Sequence, residues 1–250
     1  MIKKLSLISV LLILLLSCEQ KSEDANAIID KSIEVSGGQF LKKSIIGFEF
    51  RGRQYAANRY NGKFSLSRLT IKEPDTIFDT LNNNEFSRFV NGETIEVPDS
   101  MATRYSASVN SVHYFAVLPY GLNGKAVNKT YLKDVELKGK TYHKIKVTFD
   151  EEGGGEDFED VFIYWVNTES FKVDYLAYSY AENDGTGLRF REAYNERYIE
   201  GIRFVDYNNY KPKNNMVLLE SLDSLFENNE LELLSKIELE NIIVSLNSNQ

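Results

Sequence analysis

The sequence predicts a mostly β protein with some α-helix: a curved antiparallel sheet or half-barrel wrapped over two helices. Three observations predict it. Apolar and polar residues alternate in many short runs separated by turn pairs such as Asn61-Gly62 and Asn91-Gly92. Few stretches switch to helical spacing, so an α/β barrel or doubly wound sheet is disfavoured. The chain also carries 15 Tyr, 15 Phe and one Trp, an aromatic load that suits strands. Hydrophobic residues make up 42% and charged residues 26%, which is too apolar for a disordered chain. A formal net charge of −8 offers no electrostatic basis for binding nucleic acid or an anionic membrane surface.

The N-terminus reads as an address. Lys3 and Lys4 precede residues 5–16, which are apolar except for Ser6 and Ser9. A membrane-spanning helix needs about 20 apolar residues, so residues 1–17 read as a secretory signal peptide. The ending Leu15-Leu16-Ser17-Cys18 resembles the lipobox of bacterial lipoproteins, which implies cleavage before Cys18 and lipidation of its thiol. Cys18 is the only cysteine, so the folded part is left without a disulfide, a cysteine nucleophile or a thiolate metal site. A lipidated tether over residues 18–24 then ties the protein to a membrane, and Glu19 in place of Asp favours the outer membrane, facing the periplasm or the cell surface.

One β-rich domain is expected over residues 25–250. Residues 24–35 read as a helix, with Ala25, Ile28, Ile29, Ser32 and Ile33 on one face, Asp24 as cap and Gly37-Gly38 as stop. Ile46, Phe48 and Phe50 alternate in a first strand, and Phe64, Leu66 and Arg68 in another. Residues 76–81, 85–90 and 94–97 continue a meander. Residues 101–118 return to helical spacing, with Tyr105, Val109, Val112, Phe115 and Ala116 as the apolar stripe, Asp99 or Ser100 as cap and Pro119 as stop. A second meander follows from about residue 130 through 142–149, 161–167, 173–180, 188–198 and 202–210. Residues 217–226 read as a short helix, and residues 231–246 as one strand or two, although their Leu and Glu content also permits a helix.

Candidate chemistry is sparse. His143 shares a strand face with Ile145 and Val147 and is a candidate catalytic base, although a core histidine fits the same pattern, and Glu192, Glu196 and Asp206 in strands leave a carboxylate pair open. His113 reads as a packing residue. No spacing of histidines suits zinc, and no Gly-x-Ser-x-Gly or phosphate loop is present. The acidic run around Gly153-Gly154-Gly155 lacks the EF-hand order and reads as a loop joining two strands, so no metal and no cofactor is expected. The aromatic strands are the strongest signal. Phe48, Phe50, Phe162, Tyr164, Tyr178 and Phe190 are the candidate ligand-binding residues, because one face of such a sheet can line an apolar cavity. Arg189 and Arg191 flank Phe190 on the opposite face and either pair with Glu192, Glu196 or Asp206 or neutralise an acidic ligand.

Three segments carry a resemblance: residues 111–122, residues 160–165 with 173–178, and residues 188–191 with 201–207. Together they resemble an uncharacterised family of lipoproteins from Gram-negative bacteria, which brings no catalytic residues with it. The order helix, meander, helix, meander is similar to the lipoprotein-sorting, lipid-carrier fold (LolA/LolB-like). That resemblance implies a curved sheet half-wrapping a helical plug over an apolar cavity. The function expected is that of a lipid-anchored outer-membrane or periplasmic binding protein carrying a lipid or other amphiphile. A periplasmic hydrolase and a cell-surface glycan-binding module are the alternatives.

Overall fold

The structure, a computed structural model, describes residues 24–182, 185–214 and 216–246. The leader, Cys18 and most of the tether lie outside the described residues. The Asp24 carboxylate accepts a hydrogen bond from the Asn26 backbone N at 2.9 Å and caps α1 (Ala25–Val35), whose Ala25, Ile28, Ile29 and Ser32 are buried. Gly37 ends the helix at φ 83°, and a Cβ there would meet the Gly201 backbone oxygen at 2.1 Å, so only glycine lets the chain pass. The chain then makes one more short helix, α2 (Gly38–Leu41).

A meander of six strands follows: β1 (Lys43–Phe50), β2 (Arg53–Tyr60), β3 (Lys63–Lys72), β4 (Asp75–Asn82), β5 (Phe86–Val90) and β6 (Glu93–Ile95). Asn61-Gly62 and Asn91-Gly92 take positive φ at both residues, as two-residue hairpin turns require. β2 is a strand that the apolar pattern did not predict; only Tyr55 and Ala57 of its eight residues are buried. α3 (Asp99–Ala116) comes next. Its N-cap position is Pro98 with no side-chain cap, so Asp99 and Ser100 sit inside the first turn instead of capping it. The Asp99 carboxylate lies at the positive end of the helix dipole.

The second meander comprises β7 (Val127–Leu137), β8 (Lys140–Phe149), β9 (Val161–Asn167), β10 (Val173–Glu182), β11 (Gly185–Ile199) and β12 (Ile202–Pro212). After α4 (Leu222–Glu227), the final segment is two strands, β13 (Leu231–Ile237) and β14 (Glu240–Leu246). They part company: β13 pairs with β12 and β14 with β1. The result is two seven-stranded antiparallel sheets, ordered β14-β1-β2-β3-β4-β5-β6 and β13-β12-β11-β10-β9-β8-β7. The fold class is as predicted, with the strands divided between two sheets.

The helices take different faces. Ile28 and Ile29 of α1 join Ile145, Val147, Tyr164 and Val166 in the core on one face of the second sheet. α3 sets Val109 against Ala57 and Leu66 of the first sheet. α4 covers the other face of the second sheet, where Leu222 and Phe226 bury Trp165, Tyr175 and Phe190. Aromatic burial on both faces explains why β8 to β12 read as near-continuous apolar runs. Among the described residues no helix is long and apolar enough to cross a membrane.

Candidate functional site

The site arises from the two faces of α3. Towards the first sheet, an ion cluster fixes the helix. Asp79, 1% exposed, accepts hydrogen bonds from Arg68 Nη2 and Arg88 Nε, both at 2.7 Å. Arg68 Nη1 then donates to Ser108 Oγ at 2.7 Å, and Arg88 lies 3.5 Å from the centre of the Tyr105 ring. His113 Nε2 lies 3.0 Å from the Ser67 carbonyl oxygen. Burial, with Arg59 and Arg68 adding to it, pushes this imidazole down to about 4, so it is neutral at pH 7.

The other face carries Thr103, Ser106, Ala107, Asn110 and Ser111 at spacings of three and four. These side chains are too small to reach the second sheet. A chamber of about 1260 Å³ is left between them and the sheet, larger than the 300–1,000 Å³ typical of small-ligand sites. Five consecutive strands furnish the opposite wall: Phe149 of β8, Phe162 of β9, Tyr178 of β10, Arg191 of β11 and Tyr207 of β12. Phe50 of β1, with Phe64 and Leu81, contributes from the first sheet.

Tyr114 and Phe115 close one end. The Tyr114 hydroxyl lies 3.3 Å from that of Tyr164, and burial pushes Tyr114 up to about 12. The Phe115 ring lies 5.7 Å from Tyr178 and 6.2 Å from Phe162. Phe115 therefore leaves the stripe expected for it and turns to the second sheet. The loop between β8 and β9 supplies an acidic rim through Glu156, Asp157, Glu159 and Asp160. Burial, then the neighbouring Asp157, pushes the Asp160 carboxyl up to about 7. A smaller cavity of about 300 Å³ shares Phe64, Asn110 and Tyr114 with the chamber and is lined by Lys42, Arg59 and Lys63.

Of the six aromatic candidates, Phe50, Phe162 and Tyr178 line the chamber. Tyr164 is fully buried behind the wall. Phe48 does not reach the chamber: it stacks on Tyr55 at 5.3 Å and meets His113 edge-on beneath α3. Phe190 does not reach it either, because the register pairs it with Ala177 and Tyr210 on the α4 side, where its ring lies 4.8 Å from Phe226. His143 shares a face with Ile145, as its spacing predicted. Its Nδ1 lies 2.7 Å from Asp134 Oδ1, with Tyr131 and Phe171 beside the ring. The pair belongs to the lining of neither cavity described above.

Sequence reasoning missed the small-residue face of α3 and the acidic rim. The first had a usable signal: Ser106, Ala107 and Ser111 recur at helical spacing opposite the apolar stripe. Among the described residues no group of three His, Cys, Asp or Glu could hold a metal ion.

No curated protein sequence matches the chain. Three solved structures are similar in outline. A LolA superfamily protein from Nitrosomonas europaea is 10% identical with a TM-score of 0.48, over 88% of this chain and 91% of that one. A DUF1329 family protein from Desulfovibrio piger is 8% identical with a TM-score of 0.42, over 90% and 95%. The lipoprotein LppX from Mycobacterium tuberculosis is 10% identical with a TM-score of 0.29, over 65% and 92%. At the level of sequence families, residues 3–239 match the profile described as a family of unknown function, DUF6503, and the chain belongs to that family.

Proposed function

We propose that this chain is an extracytoplasmic carrier, anchored to the outer membrane by lipid on Cys18, that holds an amphiphile or apolar ligand between α3 and the second sheet. One observation carries the reading: a chamber of about 1260 Å³ walled by Phe50, Phe162, Tyr178 and other aromatic side chains. A ligand that displaces water from these aromatic walls gains the burial of their apolar surface. Transfer is driven by the hydrophobic effect. Burying an acyl chain of about 15 methylenes offers roughly 12 kcal/mol gross, at about 0.8 kcal/mol per methylene, before the ordering costs of association. The anchor supports a carrier in which the membrane is both source and destination of the ligand.

The test is extraction. A chain lacking residues 1–18 keeps every described element. Purified from a lipid-rich host, it releases a stoichiometric amphiphile into organic solvent, read by mass spectrometry, and binds a fluorescent fatty acid when emptied. A protein that is reproducibly empty and indifferent to the probe rules the carrier out. The anchor is tested separately: the full chain partitions with membranes and carries labelled fatty acid that stays attached through denaturing electrophoresis, and Cys18→Ser abolishes both. Covalent label that survives Cys18→Ser rules that anchor out.

A further inference from the structure

The chamber wall contains a buried cation without a counter-ion. Arg191 is 8% exposed, and no ion pair to it is present among the described residues. The carboxylates that its sequence neighbourhood offers are engaged elsewhere. Glu196 holds Arg203 and Lys172, Asp206 holds Arg197, and Glu192 accepts from Asn208 and Tyr210. Arg191 Nη2 donates to the Tyr178 hydroxyl at 2.8 Å, and the guanidinium lies 4.0 Å from the centre of the Phe115 ring. Its Nε is sealed and unpartnered. A guanidinium withdrawn from water costs several kcal/mol. Aromatic faces offset part of that but supply neither an anion nor a hydrogen-bond acceptor.

We propose that the chamber selects a single-chain amphiphile with a monoanionic head, the carboxylate of a fatty acid, bound head-inward on Arg191 and Tyr178. This deepens the carrier reading and rests on it. Charge sets the direction. The exposed rim carries Glu156, Asp157 and Glu159 and repels an anionic head at the mouth, whereas Arg191 attracts one inside. The guanidinium fork matches a carboxylate, the Tyr178 hydroxyl adds a donor, and the acyl chain runs along Phe115 and Phe162.

The experiment displaces a neutral fluorescent probe from the chain lacking residues 1–18 at pH 8, with palmitate, 1-hexadecanol and hexadecyl phosphate. Palmitate binds at least about 10-fold more tightly than hexadecanol, the difference expected of a hydrogen bond to a charged group. Arg191→Met abolishes the preference for palmitate over the alcohol and does not lower the melting temperature, because it removes an uncompensated charge. Arg191→Lys keeps part of the preference. Should Arg191→Met fail to fold, Tyr178→Phe carries the test, narrowing the preference for palmitate over hexadecanol. Equal binding of acid and alcohol overturns the head-inward site. So does a preference that survives Arg191→Met, or one abolished by Arg59→Met in the smaller cavity. Tighter binding of hexadecyl phosphate than of palmitate overturns the carboxylate assignment. If neither acid nor alcohol displaces the probe, the carrier reading itself fails.

Discussion

Phe162 and Phe190 lie on opposite faces of the second sheet, two strands apart: Phe162 faces the chamber, and Phe190 is sealed against Phe226 with 4.8 Å between ring centres. Loss of a sealed ring and loss of a chamber-facing ring should therefore register differently. Phe190→Ala empties a core site that is 0% exposed and is expected to cost about 3–5 kcal/mol in urea denaturation, with fatty-acid affinity unchanged at low denaturant. Phe50→Ala, at the first-sheet wall of the chamber, should show the reverse: weaker binding in a fluorescence titration and a small loss of stability.

The small residues of α3 hold the space open. Ala107→Trp and Ser111→Leu place bulk into the chamber from the helix side. Both are expected to lower fatty-acid binding at least about 10-fold, equivalent to about 1.4 kcal/mol, while the melting temperature holds, because these positions face the open chamber and not the packed core. Calorimetry and probe titration on the same samples check this. Undiminished binding in both variants would place the ligand elsewhere.

Asp79 holds Arg68 and Arg88 together beneath α3. Asp79→Ala leaves the buried Arg68 and the half-buried Arg88 without their shared anion, with an expected cost of about 3 kcal/mol. Ser108→Ala removes only the link from Arg68 to the helix and is expected to cost about 1 kcal/mol. Urea denaturation of the two variants separates the charge from the tether.

Stability should depend on pH through two opposing groups. The Asp160 carboxyl is pushed up to about 7 by burial and Asp157, so between roughly pH 4, its unfolded value, and pH 7 the folded chain holds a proton that the unfolded chain has lost. Its contribution is full below that window and is lost as pH rises through it. His113 is pushed down to about 4, chiefly by burial. Its contribution is present above the unfolded value of about 6.5 and is lost as pH falls towards 4. Asp160→Asn removes the first and leaves the second. The variant is expected to exceed the parent in stability at pH 8, with the gap closing by pH 4. A pH-independent gap in thermal melts would contradict the placement of Asp160.

Local turns and helix faces were legible in the sequence, and partners across strands were not. Asp24, Asn61-Gly62 and Asn91-Gly92 announce their own geometry because each acts on its own backbone. Arg51-Gly52, Lys138-Gly139 and Glu200-Gly201 make the same positive-φ turns with a first residue that gives no such signal, and the first of these concealed β2. Period two correctly set Arg191 against Phe190 within one strand. Whether Phe190 shares a face with Phe162 depends on register, and the register places Tyr178 beside Phe162 and Arg189. The division of residues 231–246 between two sheets depends on the partner edges that β12 and β1 present, which alternation within the segment does not encode.

The pairing of β14 with β1 carries a cost in time. β1 precedes β14 by almost the whole described chain, so the β1 edge of the first sheet has no partner until residues 240–246 arrive. Such a flank is open to pairing with any neighbouring nascent chain. Removal of β14 would leave that edge of β1 permanently unpaired.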